Sequence, residues 1–181
     1  MELNNDSIIH DDHPMIRQKS ANVPLPLSAE DEELLSAMYA YVKDSQDDEL
    51  CEKRNLSPAV GLAAVQVGVL KKMIAVVVPM DDGSTLEWAL VNPKIISKST
   101  RHAALSTGEG CLSVPELHEG LVYRPESIKV RAYDLLTKQN VVIQATGYAA
   151  IVLQHEIDHL SGILYYDHIG KPVPEGSALI D

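Results

Sequence analysis

The chain contains no Phe and a single Trp among its 181 residues. Its core must therefore be filled by Leu, Ile, Val and seven Tyr. Basic charge is also scarce: 15 Lys and Arg stand against 26 Asp and Glu, for a formal net charge of −11. That balance offers no footprint for nucleic acid and no basic face for an anionic membrane. No apolar run approaches the roughly 18 residues that a membrane span needs. The start, MELNNDSIIHDDHPMIRQKS, lacks the basic-then-apolar order of a secretory signal. Cysteine is limited to Cys51 and Cys111, and a chain of this size in a reducing compartment rarely needs a disulfide. The expectation is a cytoplasmic protein. Cys51, in DDELCEKR, reads as a surface or loop thiol, whereas Cys111 sits in the small-residue stretch GEGCLSVP.

Hydrophobic residues make up 45 % of the chain, which suits a packed globule. The length suits one domain over 1–181, with monomer as the default. Residues 1–27, with three prolines, read as irregular and wrapping the surface. Ser28-Ala29-Glu30-Asp31 resembles a capping box, and Leu34, Leu35, Met38, Tyr41 and Val42 recur at helical spacing. A helix is predicted from about Ala29 to about Asp44, with 45–58 as a loop or insertion.

Strand signals follow at Met73–Val78, Leu86–Val91, Lys94–Ser97, around Ile128, Val130 and Ala132, and at Val141–Ala145. Asp82-Gly83 is a hairpin-type turn, and Asn92-Pro93 is read as a break. A second helix is predicted from about Tyr148 to about Ser161, closed by Gly162. The tail, GKPVPEGSALID, reads as irregular. The fold class is α+β.

The most informative stretch is IVLQHEIDHLSG, from Ile151 to Gly162. On a helix His155 and His159 share a face, and Tyr148, Ile151 and Val152 extend that face as an apolar stripe. An apolar stripe running into two imidazoles needs something to satisfy their nitrogens, and a divalent metal is the reading favoured here. Two ligands rarely suffice, so a third is needed. Glu175 is the only later Glu, but it sits in the Pro/Gly tail, and position 165 is Tyr where a further His would serve. Cys111 lies upstream. It reads either as a ligand or as a small buried hydrophobe.

Gly61-Leu62-Ala63-Ala64-Val65-Gln66, Glu109-Gly110-Cys111-Leu112-Ser113 and His155-Glu156-Ile157-Asp158-His159 resemble, in order, the three motifs of peptide deformylases. The resemblance spans roughly Ile8 to His168. Val65 stands where many members carry Pro or Thr. The long segment before Gly61 is similar to the larger bacterial form. The family fold implied packs antiparallel sheets around a central C-terminal helix carrying HExxH, plus an N-terminal helix.

The resemblance implies Cys111, His155 and His159 as metal ligands, holding Fe²⁺, with Zn²⁺, Ni²⁺ or Co²⁺ as replacements. The activity implied is removal of the formyl group from the N-terminal formylmethionine of nascent polypeptides. A metal can lower the pKa of bound water toward ~7. Glu156 would then act as general base toward that water and return the proton to the departing amine. Gln66 and the Leu112 N–H would receive the developing charge on the carbonyl oxygen. Gln66 read alone could equally be a structural amide tying loops together.

The backbone at Gly61 would lie against the substrate. Val60, Tyr148, Ile151 and Val152 would line the methionine pocket, a role compatible with ordinary core packing. Asp158 is expected to pair with Arg124. Some family members dock on the ribosome through a basic C-terminal helix, but Lys171 is the only Lys or Arg of this tail. Two rival readings stand beside this one. One is an HExxH metallopeptidase with a downstream third ligand; the other is a non-catalytic metal-binding protein on the same fold. Replacing Cys111 by Ala separates the first, and the intact Gln66 and Glu156 argue against the second.

Overall fold

The N-terminal helix begins where its chemistry allows. In the computed structural model, which describes residues 1–181, the Ser28 hydroxyl accepts the Asp31 N–H at 3.1 Å and opens α1, Ala29–Asp44. Glu30, Asp31 and Glu32 fill the first turn and Lys43 the last, complementing the helix dipole. Only half of a capping box forms, because the Asp31 carboxylate turns away to accept from Lys71 at 2.5 Å. Leu34, Leu35, Met38, Tyr41 and Val42 are buried, as their spacing predicts.

Five strands form the main sheet, in the order β1-β2-β3-β6-β7 and antiparallel throughout. They are β1 (Gly61–Ala63), β2 (Met73–Pro79), β3 (Thr85–Lys98), β6 (Ser127–Asp134) and β7 (Gln139–Thr146). A smaller sheet has the order β5-β4-β8, from Arg124–Pro125, His102–Leu105 and Ala178–Ile180. α3, Tyr148–His159, carries the His155/His159 pair. The class is α+β.

β2 shows why the sheet lies between helices. Met73, Ala75 and Val77 point into one apolar cluster with the buried face of α1. Ile74, Val76 and Val78 point into the other, with Ala149, Ala150, Val152 and Leu153 of α3. Strand period 2 thus sends alternate residues to two cores, and both faces need apolar side chains. No helix is long and apolar enough to cross a membrane.

Several expectations need correction. The segment 45–58 is not only a loop: it holds α2, Asp48–Arg54, capped by Asp47 and ended by Asn55 in the left-handed region. α2 buries no residue, so it left no apolar periodicity to read. Cys51 lies on α2 with its thiol donating to the Ser45 carbonyl at 2.9 Å, and it packs against the α1 core. It is a half-buried structural thiol, not a surface one.

β3 runs through Asn92-Pro93 instead of breaking there. Asn92 takes φ +53, and the pairing with β6 shifts register between Val91 and Lys94. A bulge tolerates the proline, and the Asn92 amide clasps both the N–H and the carbonyl of Val23, at 2.8 and 2.9 Å. The tail is not wholly irregular, since β8 pairs in parallel with β4. The short strands β1, β4 and β5 were not foreseen. The N-terminal 27 residues are mainly irregular but hold two short 3-10 turns, and Ile16 is fully buried.

α3 ends at His159, and Gly162 follows at φ +73. A Cβ there would collide with the Arg17 carbonyl. Gly162→Ala is therefore expected to destabilise the fold well beyond the ~1 kcal/mol of a lost helix cap such as Ser28→Ala. Urea unfolding of the two variants checks this, and equal midpoints would contradict it.

Candidate metal centre

α3 brings His155 and His159 one turn apart, with ring centroids separated by 5.2 Å. Cys111 comes from the loop between β4 and β5, in a tight turn closed by the Val114 N–H to the Cys111 carbonyl at 3.0 Å. Its sulfur lies 3.4 Å from His159 Nε2. One donor atom from each of the three residues falls within 4.8 Å of the others. Glu175, the alternative from the tail, is not part of this group.

A buried ionic network holds the histidine helix against the cysteine loop. Glu109 Oε1 lies 2.8 Å from His155 Nδ1, so Nδ1–H donates to the carboxylate and Nε2 is left to the Cys111 side. Arg124 donates to the same carboxylate through Nε at 2.9 Å and Nη2 at 3.0 Å, and through Nη1 to Asp158 at 2.8 Å. His168 Nε2 meets the same Asp158 oxygen at 2.8 Å. The Arg124–Asp158 pair foreseen from sequence is present. Glu109 was quoted only as part of a motif, and its part as the hub of this network was missed. An acidic residue two positions before a candidate ligand was the available signal.

Burial pushes the Glu109 carboxyl up, but the His155 and Arg124 hydrogen bonds outweigh it and hold the group below its ordinary value. Asp158 is held down in the same way, by His168 and Arg124 against burial. Burial disfavours charge on both histidines. For His155 the Cys111 and Glu109 acceptors reverse the direction and raise it well above its ordinary value. For His159 nothing does, and the neighbouring His155 lowers it further. Burial pushes Glu156 up to about 7.

Two atoms at this centre have no partner: His159 Nδ1 and Glu156 Oε2 are both buried and unbonded. Buried polar groups are normally satisfied. Two imidazoles and a thiol are the donor set of a borderline-soft divalent ion such as Zn²⁺, Ni²⁺, Co²⁺ or Fe²⁺. These residues fit a transition metal.

The centre opens onto a cavity of about 720 Å³. Cys111, His155, Glu156, Gln66 and Leu112 line it, as do all five expected substrate residues: Val60, Gly61, Tyr148, Ile151 and Val152. His159 is not on the wall; it lies behind, 1 % exposed. The wall also includes Gln46, Pro58, Ala59, Pro79, Leu105 and Thr107, which the sequence reading did not single out. They come from segments with no chemical motif, so only the fold could reveal them.

Gln66 is tied on both sides. Its Oε1 accepts the Ala63 N–H at 2.9 Å, and its Nε2 donates to Ser113 Oγ at 3.1 Å and lies 3.5 Å from the Cys111 sulfur. It is thus the loop-tying amide, and its remaining N–H faces the thiol side of the cavity. The Leu112 N–H has no acceptor in the chain.

The chain matches the family model described as polypeptide deformylase over residues 6–175. It is 46 % identical over 168 residues to a peptide deformylase of Staphylococcus epidermidis, covering 92 % of this chain and 91 % of that one. Peptide deformylase 2 of Bacillus subtilis is 44 % identical over 169 residues, 93 % and 91 % of the two chains. Among solved structures, the peptide deformylase of Ehrlichia chaffeensis aligns with a TM-score of 0.72 at 29 % identity, over 94 % of this chain and 89 % of that one. An actinonin-bound class I type b peptide deformylase of Acinetobacter baumannii gives 0.71 at 30 % identity, over 94 % and 100 %.

Truncating Arg124 to Ala would remove the cation from the buried Glu109 carboxylate and from the partly buried Asp158. The variant is expected to lose about 3–5 kcal/mol of stability and about 10- to 100-fold in metal affinity, through loss of His155 orientation. Urea unfolding and competitive metal titration check both, and an unchanged metal affinity would contradict the orienting role of Glu109.

Proposed function

The chain belongs to the polypeptide deformylase family, and from that premise we propose that it removes the formyl group from N-formylmethionyl nascent peptides, with Cys111, His155 and His159 holding its metal. The observation that carries this reading is the convergence of those three donors with Glu156 and Gln66 beside one apolar-walled cavity. A divalent metal at this centre supplies Lewis-acid activation of water and of the formyl carbonyl. By family resemblance that metal is Fe²⁺, replaceable by Zn²⁺, Ni²⁺ or Co²⁺.

The chain's own residues do the rest. Glu109 keeps the His155 proton on Nδ1, so that Nε2 is available as a donor. Val60, Tyr148, Ile151 and Val152 take the methionine side chain, whose unbranched apolar shape suits an aliphatic wall. Gln66 Nε2–H and the free Leu112 N–H meet the oxygen on which negative charge develops.

Glu156 accepts the proton of the attacking water. Its carboxylate is buried on the cavity wall beside His155, where such a base is needed. The same carboxyl then gives the proton to the departing amine, which leaves as the free N-terminus, with formate as the other product. We place this work in the cytoplasm, by a monomer, where nascent chains emerge.

The test is formate release from a formyl-Met tripeptide by anaerobically prepared, iron-loaded protein, beside the Glu156→Gln variant. The wild type is expected to release stoichiometric formate. Glu156→Gln is expected to keep its metal and turn over about 100- to 10,000-fold more slowly, the usual contribution of a positioned base. Cleavage of internal peptide bonds without formate would overturn the reading in favour of a peptidase. Near-native turnover by the metal-replete variant would remove Glu156 from the mechanism.

A further inference from the structure

We propose that Gly61 is a positioning residue for the Glu156 carboxylate: the side chain missing at 61 is the space that the carboxylate occupies. This goes beyond backbone contact with substrate and rests on the functional reading above only for the role of Glu156. A Cβ built on Gly61 would lie 2.7 Å from Glu156 Cγ and Oε1 and 2.8 Å from Cδ. Real Cβ atoms do not approach heavy atoms so closely, so one side must move. Gly61 is not needed for its backbone angles, since its φ lies outside the left-handed region. Nor does every glycine on the cavity wall meet such a barrier, because the same construction at Gly110 finds nothing within 4 Å.

The backbone cannot give way. Gly61 pairs with Val76 at the start of β1, and Leu62 and Ala63, which follow, are fully buried between α3 and α1. α3 is fixed by Ala149, Ala150 and Leu153, which pack into the same apolar cluster as Ala63 and Val76. The mobile partner is the Glu156 side chain, whose other flank faces the cavity. No hydrogen bond holds its Oε2. On the β1 side, contact with Gly61 is therefore what sets where the carboxylate stands. A methyl at 61 would push it off station, toward the open side.

The experiment combines Gly61→Ala with three states of position 156 (Glu, Asp and Ala) in the full-length, metal-loaded protein. Gly61→Ala alone is expected to keep its metal and lose kcat by about 100-fold, the scale of a 1 Å misplacement, with KM little changed. In the Glu156→Asp background, where the carboxylate is one methylene shorter, adding Gly61→Ala should cost far less than it costs the wild type, as coupled neighbours do. Melting temperature gives a readout independent of activity. Gly61→Ala should lower it with Glu at 156 and lower it much less with Ala at 156.

A KM increase with kcat intact would overturn the proposal in favour of simple substrate clearance. So would equal penalties in all three backgrounds. If Gly61→Ala does not fold, recovery of the fold in the Glu156→Ala background supports the proposal, and misfolding in both overturns it. Absence of formate release by the wild type would sink the functional reading, while the melting-temperature coupling would still decide the packing claim.

Discussion

Everything at the centre depends on one buried cation. Arg124 is 4 % exposed and spends three donors on two carboxylates, Glu109 and Asp158. Placing such a charge in the interior costs several kcal/mol, which only complete pairing offsets. The pairing joins the loop before Cys111, strand β5 and helix α3. Glu109 in turn orients His155. A thiol on a loop and two imidazoles on a helix therefore keep a fixed separation because the ion network, rather than the loop's own stiffness, sets the distance between the two elements.

The second support is the first motif, Gly61 to Gln66. Gln66 ties two segments with one side chain: its oxygen closes the turn at Ala63, while its amide nitrogen bonds Ser113 near the thiol. Gly61 shows the converse, where a residue acts through what it lacks. Gly61 opens β1, and Gln66 lies in the 3-10 turn that follows it. The first motif thus reads as a wall against which Glu156 of α3 and the Cys111 loop are stood.

Much of this was legible in the residues, and the rest was hidden for identifiable reasons. α1 was readable because Leu34, Leu35, Met38, Tyr41 and Val42 mark a buried stripe. α2 was not, because it is held by the Asp47 cap and the Asn55 terminus and buries nothing. β3 looked broken because Asn92-Pro93 is a strand-breaking pair in isolation, and the clasp on Val23 that accommodates it is contact at long range. β1 and β5 are three and two residues long, and β8 sits in a Pro/Gly tail, too short for any period to emerge. His155 and His159 were readable as a metal-binding pair from their spacing, whereas Cys111, open between ligand and buried hydrophobe, was assigned only through the resemblance. Their convergence, and the hub at Glu109, needed the fold. The closeness of Gly61 to Glu156 joins residues 95 positions apart and leaves no trace in either motif.

The central claim is that one sulfur and two imidazole nitrogens form the protein's share of the metal shell. X-ray absorption at the metal edge of the loaded protein measures this most directly. For zinc, the account predicts one sulfur at about 2.3 Å and two nitrogens at about 2.0–2.1 Å, with a remaining light-atom position. A shell of nitrogen and oxygen alone, with no sulfur, would contradict it.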